Sequence, residues 1–96
     1  MDFGLNGKTA FVLGTSRGLG ASIVQGLAKE GVKVYAIARN TEKIEEWASA
    51  LNIANHITAI KLDLTDIDAI NQTIQNILTN GGVDILVNNT GDHHPL

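Results

Sequence analysis

One stretch near the N-terminus narrows the folds open to this chain more than any other. Residues Thr9–Leu13 form an apolar run, which reads as a buried strand. The run stops at Gly14, and Gly14, Gly18 and Gly20 give the spacing G-x-x-x-G-x-G. From Ala21 to Lys29 the pattern becomes helical. A strand, a glycine-rich turn and a helix N-terminus, in that order, make a phosphate-binding device. Unpaired backbone N–H groups point out of the first helical turn, and the helix dipole adds partial positive charge there. Glycine lets the backbone bend sharply and lets a pyrophosphate come close, because no Cβ intervenes. Glycine-rich turns also end many strands for steric reasons alone, so the weight of this signal depends on the rest of the chain.

The remainder of the chain is a succession of βα units. Asn6-Gly7 is a turn signal before the first strand. The first helix is expected over about residues 18–30, with Leu19, Ile23, Val24, Leu27 and Ala28 as its apolar face, and Gly31 sits where a left-handed residue would end it. Lys33–Ala38 is β-branched and aromatic, hence a second strand. A second helix over about residues 41–51 buries Ile44, Trp47, Ala48 and Leu51 and places Glu42 and Glu45 in its early turns, where the dipole favours acids. Residues 57–62 make a third strand. Thr65 is the expected N-cap of a third helix, with Asp66 and Asp68 in its first turn. Ile67, Ile70, Ile74, Ile77 and Leu78 give that helix the strongest periodicity in the chain, and Gly81-Gly82 ends it. Residues 84–88 make a fourth strand. Strands apolar on both faces and separated by helices demand a parallel sheet. Right-handed crossovers moving out and then back give the order 3-2-1-4. The expected fold is therefore α/β: a three-layer half-Rossmann βαβαβαβ unit on a parallel four-stranded sheet.

Composition sets outer limits. The 96 residues, 44% hydrophobic, suffice for one domain with a real core. A net charge of −3 argues against a nucleic-acid partner. The absence of cysteine excludes disulfides and thiolate chemistry. Residues 1–8 do not read as a signal peptide, and no apolar stretch approaches membrane-spanning length, so no membrane partner and a cytoplasmic location are the expectation.

Cofactor choice falls at the end of the second strand. A carboxylate there would bind the adenosine ribose hydroxyls of NAD, whereas an arginine would accommodate a 2′-phosphate. The chain has Ala36-Ile37-Ala38-Arg39-Asn40, with no acid at that corner, and Arg17 lies in the glycine turn nearby. Two guanidiniums converging on one spot suit a phosphate dianion, so NADP(H) is favoured over NAD(H). As isolated residues they would be two solvated surface arginines. Asp63-Leu64 comes after the third strand; the acid could accept from an adenine amino group while Leu64 packs on the ring, or it could simply terminate the strand. Asn88-Asn89-Thr90-Gly91 closes the fourth strand, either as ordinary turn chemistry or as backbone offered to a ribose. His93 and His94 could contribute to a metal site, but adjacent histidines point to opposite sides of an extended chain, and a solvated tail fits them better.

Together these motifs give the chain a clear resemblance. Gly14-Thr15-Ser16-Arg17-Gly18-Leu19-Gly20, Arg39, Asp63-Leu64 and Asn88-Asn89-Thr90-Gly91, in that order and spacing, resemble the short-chain dehydrogenase/reductase family, and within it the 3-oxoacyl-carrier-protein reductase type. Leu13 stands where threonine is usual, and Thr90 where alanine is usual. The resemblance implies cofactor-binding roles for Gly14, Ser16, Arg17, Gly18, Leu19, Gly20, Arg39, Asp63, Leu64, Asn89, Thr90 and Gly91. It also implies hydride transfer between NADPH and a carbonyl or alcohol. Members of the family carry a catalytic serine and a Tyr-x-x-x-Lys pair beyond the region matched here. The single tyrosine of this chain, Tyr35, lies in the second strand with Arg39 four residues on, so no catalytic residue is carried over.

The resemblance ends at residue 91, so residues 1–91 are expected to be a truncated Rossmann domain and residues 92–96 a non-family tail. Some relatives continue with Gly-Pro-Pro-Pro at this point. Deleting one base from such a coding run yields Asp-His-His-Pro, the sequence of Asp92-His93-His94-Pro95, which suggests a frameshift. A fourth strand without a fifth beside it would leave Ile85, Leu86 and Val87 on an unpaired edge, with one sheet face thinly covered. A homodimer or higher homo-oligomer through that edge or face is therefore expected. The alternative function is a non-enzymatic, self-associating or partner-binding module with a vestigial cofactor site. Complementation by a separate chain carrying the missing half is a third reading.

Overall fold

The computed structural model describes residues 6–14, 18–63 and 65–88. The elements run in the order β1 (Thr9–Leu13), α1 (Gly18–Lys29), β2 (Lys33–Ala38), α2 (Glu42–Ala50), a single 3₁₀ turn (Ala54–His56), β3 (Ile57–Lys61), α3 (Ile67–Thr79) and β4 (Ile85–Asn88). The four strands pair in parallel in the order β3-β2-β1-β4, as the alternation of elements requires. Leu13 lies beside Ile37 and Asn88, and Ile37 beside Ile60, so the four strands reach their carboxyl ends together.

Alternation along β1 divides the core into two layers. Ala10 and Val12 face one side, with Val34, Ala36 and Ala38 of β2, and pack under Val24 and Ala28 of α1 and Ile44 and Ala48 of α2. Phe11 and Leu13 face the other side, with Ile37, and pack against Ile77, Ile70 and Ile74 of α3. Two helices thus cover one face and one helix the other. The singly covered face is open at its margin, where Leu86 of β4, beside the fully buried Phe11, is 64% exposed.

The first two helices stop in the same way, and the third shares one of the two closing bonds. Gly31 N–H donates to the Ala28 carbonyl and Val32 N–H to the Leu27 carbonyl, with Gly31 at φ +86°. The same pair of bonds recurs after α2, from Asn52 to Ser49 and from Ile53 to Ala48, with Asn52 at φ +61°. After α3, Gly82 donates to Ile77. In the first two cases the next residue, Val32 or Ile53, is buried, so the cap also fixes an apolar side chain against the sheet.

Several boundaries differ from the sequence expectation. The α1 face is rotated: Gly20, Ala21, Val24 and Ala28 are buried, whereas Leu19 is 68% exposed. Small residues let this helix approach the sheet closely, which the search for large apolar side chains does not detect. Asp66, not Thr65, caps α3, because the Asp66 carboxylate accepts from Ala69 N–H at 3.1 Å. Ile67 in the first turn is exposed, as are Leu78 and, after α2, Leu51. β4 is assigned from Ile85, and Asp84 just before it is already tied to β1: its carboxylate accepts from Thr9 N–H at 2.9 Å while its own N–H donates to the Thr9 carbonyl at 2.8 Å. Among the described residues, no helix is long and apolar enough to cross a membrane.

Candidate functional site

The parallel register places the residues just beyond β1, β2 and β3 along one edge of the sheet. Gly14 succeeds Leu13 at φ +76°, and its N–H donates to the Ile37 carbonyl at 2.8 Å, which extends the β1–β2 pairing one residue into the turn. Gly18, Leu19 and Gly20 form the first turn of α1. Gly18 holds φ +66°, and a Cβ added there would meet nothing within 4 Å. Leu62 N–H donates to the Ala38 carbonyl at 3.0 Å and carries the β2–β3 pairing to the edge. Arg39 comes directly after β2, and Asp63 two residues after β3.

Arg39 and Asp63 are brought together. The Arg39 guanidinium donates from Nη2 to Asp63 Oδ1 at 3.3 Å, with both side chains largely in solvent. The same oxygen accepts from Thr65 N–H at 2.9 Å and from the Thr65 hydroxyl at 2.7 Å. Hydrogen bonds from the Thr65 backbone and side chain, aided by the Arg39 charge, hold the Asp63 carboxyl below its ordinary pKa. The group is thus an ionised acceptor at neutral pH. Beside it, Asn40 Oδ1 accepts from Glu42 N–H at 3.0 Å, so Asn40 turns the chain from β2 into α2.

Of the residues expected at the site from sequence, Gly14, Gly18, Leu19, Gly20, Arg39 and Asp63 lie at this edge. Ser16, Arg17, Leu64, Asn89, Thr90 and Gly91 lie outside the described residues, as do His93 and His94. Sequence reading missed the roles of Thr65 and Asn40. The signal for Thr65 was present: an aspartate two residues before a threonine can accept from both its N–H and its hydroxyl.

A strand, glycine turn and helix facing this edge in a 3-2-1-4 sheet is an arrangement found in many proteins. The family model described as short chain dehydrogenase matches residues 8–95, nearly the whole chain. The chain belongs to the short-chain dehydrogenase family. Among curated members it is 39% identical over 88 residues to farnesol dehydrogenase of Aedes aegypti, covering 88% of this chain and 36% of that protein. It is 35% identical over 94 residues to 2,3-dihydro-2,3-dihydroxybenzoate dehydrogenase of Bacillus subtilis, covering 96% of this chain and 36% of that protein. This short-chain dehydrogenase sequence therefore spans just over a third of the length of those relatives. Solved members agree in fold. A short-chain dehydrogenase/reductase of Serratia marcescens superposes with a TM-score of 0.76 at 44% identity, covering 88% of this chain and 36% of that one. L-Sorbose reductase of Gluconobacter frateurii, solved with NADPH and L-sorbose, superposes with a TM-score of 0.81 at 31% identity, covering all of this chain and 38% of that one.

Proposed function

We propose that this chain is the NADP(H)-binding portion of a short-chain oxidoreductase. The observation that carries the reading is that the segment leaving β2, Ala38-Arg39-Asn40, supplies an arginine and no acid of its own. A guanidinium there complements a 2′-phosphate. The residues fit a dinucleotide in two further respects. Gly14 and Gly18 hold left-handed backbone, and Asp63 presents a carboxylate whose oxygens can accept from an adenine amino group. In this reading Gly14, Ser16, Arg17, Gly18, Leu19 and Gly20 cradle the pyrophosphate. Arg39, with Arg17, takes the 2′-phosphate, Asp63 and Leu64 take the adenine, and Asn89, Thr90 and Gly91 take a ribose. Once bound, the nicotinamide supplies or accepts the hydride. This chain's part is to bind and orient it.

The full reaction would interconvert a carbonyl and an alcohol. On the glycine-turn, Arg39, Asp63-Leu64 and Asn88–Gly91 motifs, the 3-oxoacyl-carrier-protein reductase type is the subclass we favour. We assign no catalytic residue among these 96 residues; the catalytic serine and Tyr-x-x-x-Lys pair of the family belong to a part of its members beyond the region matched here. A cytoplasmic setting belongs to the same proposal. Calorimetric titration with NADPH tests the cofactor reading. Saturable binding with a stoichiometry near one supports it, and a folded sample that takes up no NADPH refutes it.

A second reading concerns association, and Leu86 favours it. This side chain is 64% exposed on a strand whose outer edge is unpaired among the described residues. An apolar free edge is a template for a second copy. We propose a homo-oligomer through β4, and Leu86→Lys is expected to shift it to monomer in light scattering at micromolar concentration. A parent chain that is already a stable monomer would contradict this.

A further inference from the structure

Three donors converge on one oxygen at the carboxyl edge of β3. Asp63 Oδ1 accepts from Thr65 N–H at 2.9 Å, from the Thr65 hydroxyl at 2.7 Å and from Arg39 Nη2 at 3.3 Å. Among the described residues, every donor to this carboxylate lands on Oδ1. The side chain is largely in solvent, so packing does not fix it. The carboxylate torsion of an aspartate is broad and is set by whatever hydrogen bonds it finds. Two donors from one nearby residue are enough to set it. Thr65 is free for this task because Asp66 caps α3 in its place.

We propose that Thr65 is a positioning residue of the cofactor site: its hydroxyl and N–H hold the Asp63 carboxylate in the orientation that tethers Arg39 through Oδ1 and leaves Oδ2 for an adenine amino group. The inference rests on the NADP(H) reading and deepens it. The 2′-phosphate contact and the adenine contact are then both governed through a single oxygen. Arg39 is held near its place before ligand arrives, and the adenine acceptor is oriented by the same contacts. Preordering of this kind raises affinity by reducing what must be immobilised on binding. Loss of the hydroxyl therefore weakens NADPH and NADH together. NADPH suffers more, because only the phosphorylated ligand uses the tethered Arg39.

The test is a binding cycle on the full chain, with circular dichroism reporting that each variant is folded. Thr65→Val keeps the side-chain shape and the N–H but removes the hydroxyl. It is expected to weaken NADPH binding about fivefold, a fraction of the worth of the charge-assisted hydrogen bond that is lost within the protein. Thr65→Ser is expected to restore parental affinity. In an Asp63→Ala background, Thr65→Val is expected to have no further effect, because a residue that acts through Asp63 has nothing left to act on. A second readout needs no cofactor: in ligand-free protein, NMR titration of the Asp63 carboxyl is expected to move up in Thr65→Val and to stay at the parental position in Thr65→Ser. If Thr65→Val costs the same in both backgrounds, or costs nothing while Asp63→Ala weakens NADPH binding, the role of Thr65 is overturned and the cofactor reading stands. If Asp63→Ala and Arg39→Ala both bind NADPH as the parent does, the cofactor reading itself has failed and this inference falls with it.

Discussion

At Gly31 two independent constraints meet. The residue holds φ +86°, where an L side chain is strained, and an added Cβ would lie 2.5 Å from Asn6 Oδ1. Its carbonyl also accepts from Gly7 N–H at 3.2 Å, tying the entry to β1 to the end of α1. Gly31→Ala is expected to destabilise the fold by about 1–3 kcal/mol in urea denaturation, a cost drawn from backbone strain and the displaced asparagine. Asn52, in the same role after α2, was not legible from sequence, because asparagine serves turns, caps and surfaces alike. Gly31 was legible because glycine after an amphipathic run has few other reasons to be there. Asp63 shows the opposite difficulty: its position could be read, and its local partner Thr65 had a signal two residues on, but its pairing with Arg39 could not be read, since that contact spans the ends of β2 and β3. Its lowered pKa has a consequence for acid stability. The unfolded chain takes up the proton first as pH falls, so this stabilisation is fully present above the ordinary carboxylate range and is lost as pH falls through the native value. Asp63→Asn is expected to flatten that part of the acid unfolding curve, and an unchanged curve would contradict the assignment.

At the scale of elements, periodicity gave strand and helix positions to within a residue or two, and missed where tertiary contact decides. The α1 face is turned toward Gly20, Ala21, Val24 and Ala28 because small residues bring the helix onto β1 and β2. Leu19 is consequently left outside, close to the glycine turn, as a bulky apolar residue that helix packing does not use. The third helix is capped by Asp66, one residue later than expected, while Thr65 is engaged with Asp63. The 3₁₀ turn at Ala54–His56 carries no buried residue and no periodic signal, so nothing in the sequence announced it. Strand β1, central in the sheet, was the clearest element from the start. Phe11 is fully buried there between β2 and β4 and is the largest fully buried side chain among the described residues. Phe11→Ala is expected to cost about 3–5 kcal/mol, measurable as a drop in the urea midpoint. Against a stability of roughly 5–15 kcal/mol for a domain, that is a large fraction.

For the whole molecule, the sheet order and the two unequal layers could be read from the chain alone, since right-handed crossovers leave few alternatives. The family resemblance was carried by four motifs, one following each strand, and the match over residues 8–95 establishes membership. What the fold does is gather Gly14, Arg39 and Asp63 from separate strands onto one edge, the edge we assign to a phosphorylated dinucleotide. The measurement that tests this most directly is the ratio of NADPH to NADH affinity for the parent chain and for Arg39→Ala, by calorimetry at fixed ionic strength. The parent is expected to prefer NADPH by about tenfold, the worth of a charge-assisted guanidinium–phosphate contact, and Arg39→Ala to bring the ratio close to one by weakening NADPH alone. Equal affinities in the parent, or a preference that survives Arg39→Ala, would contradict it.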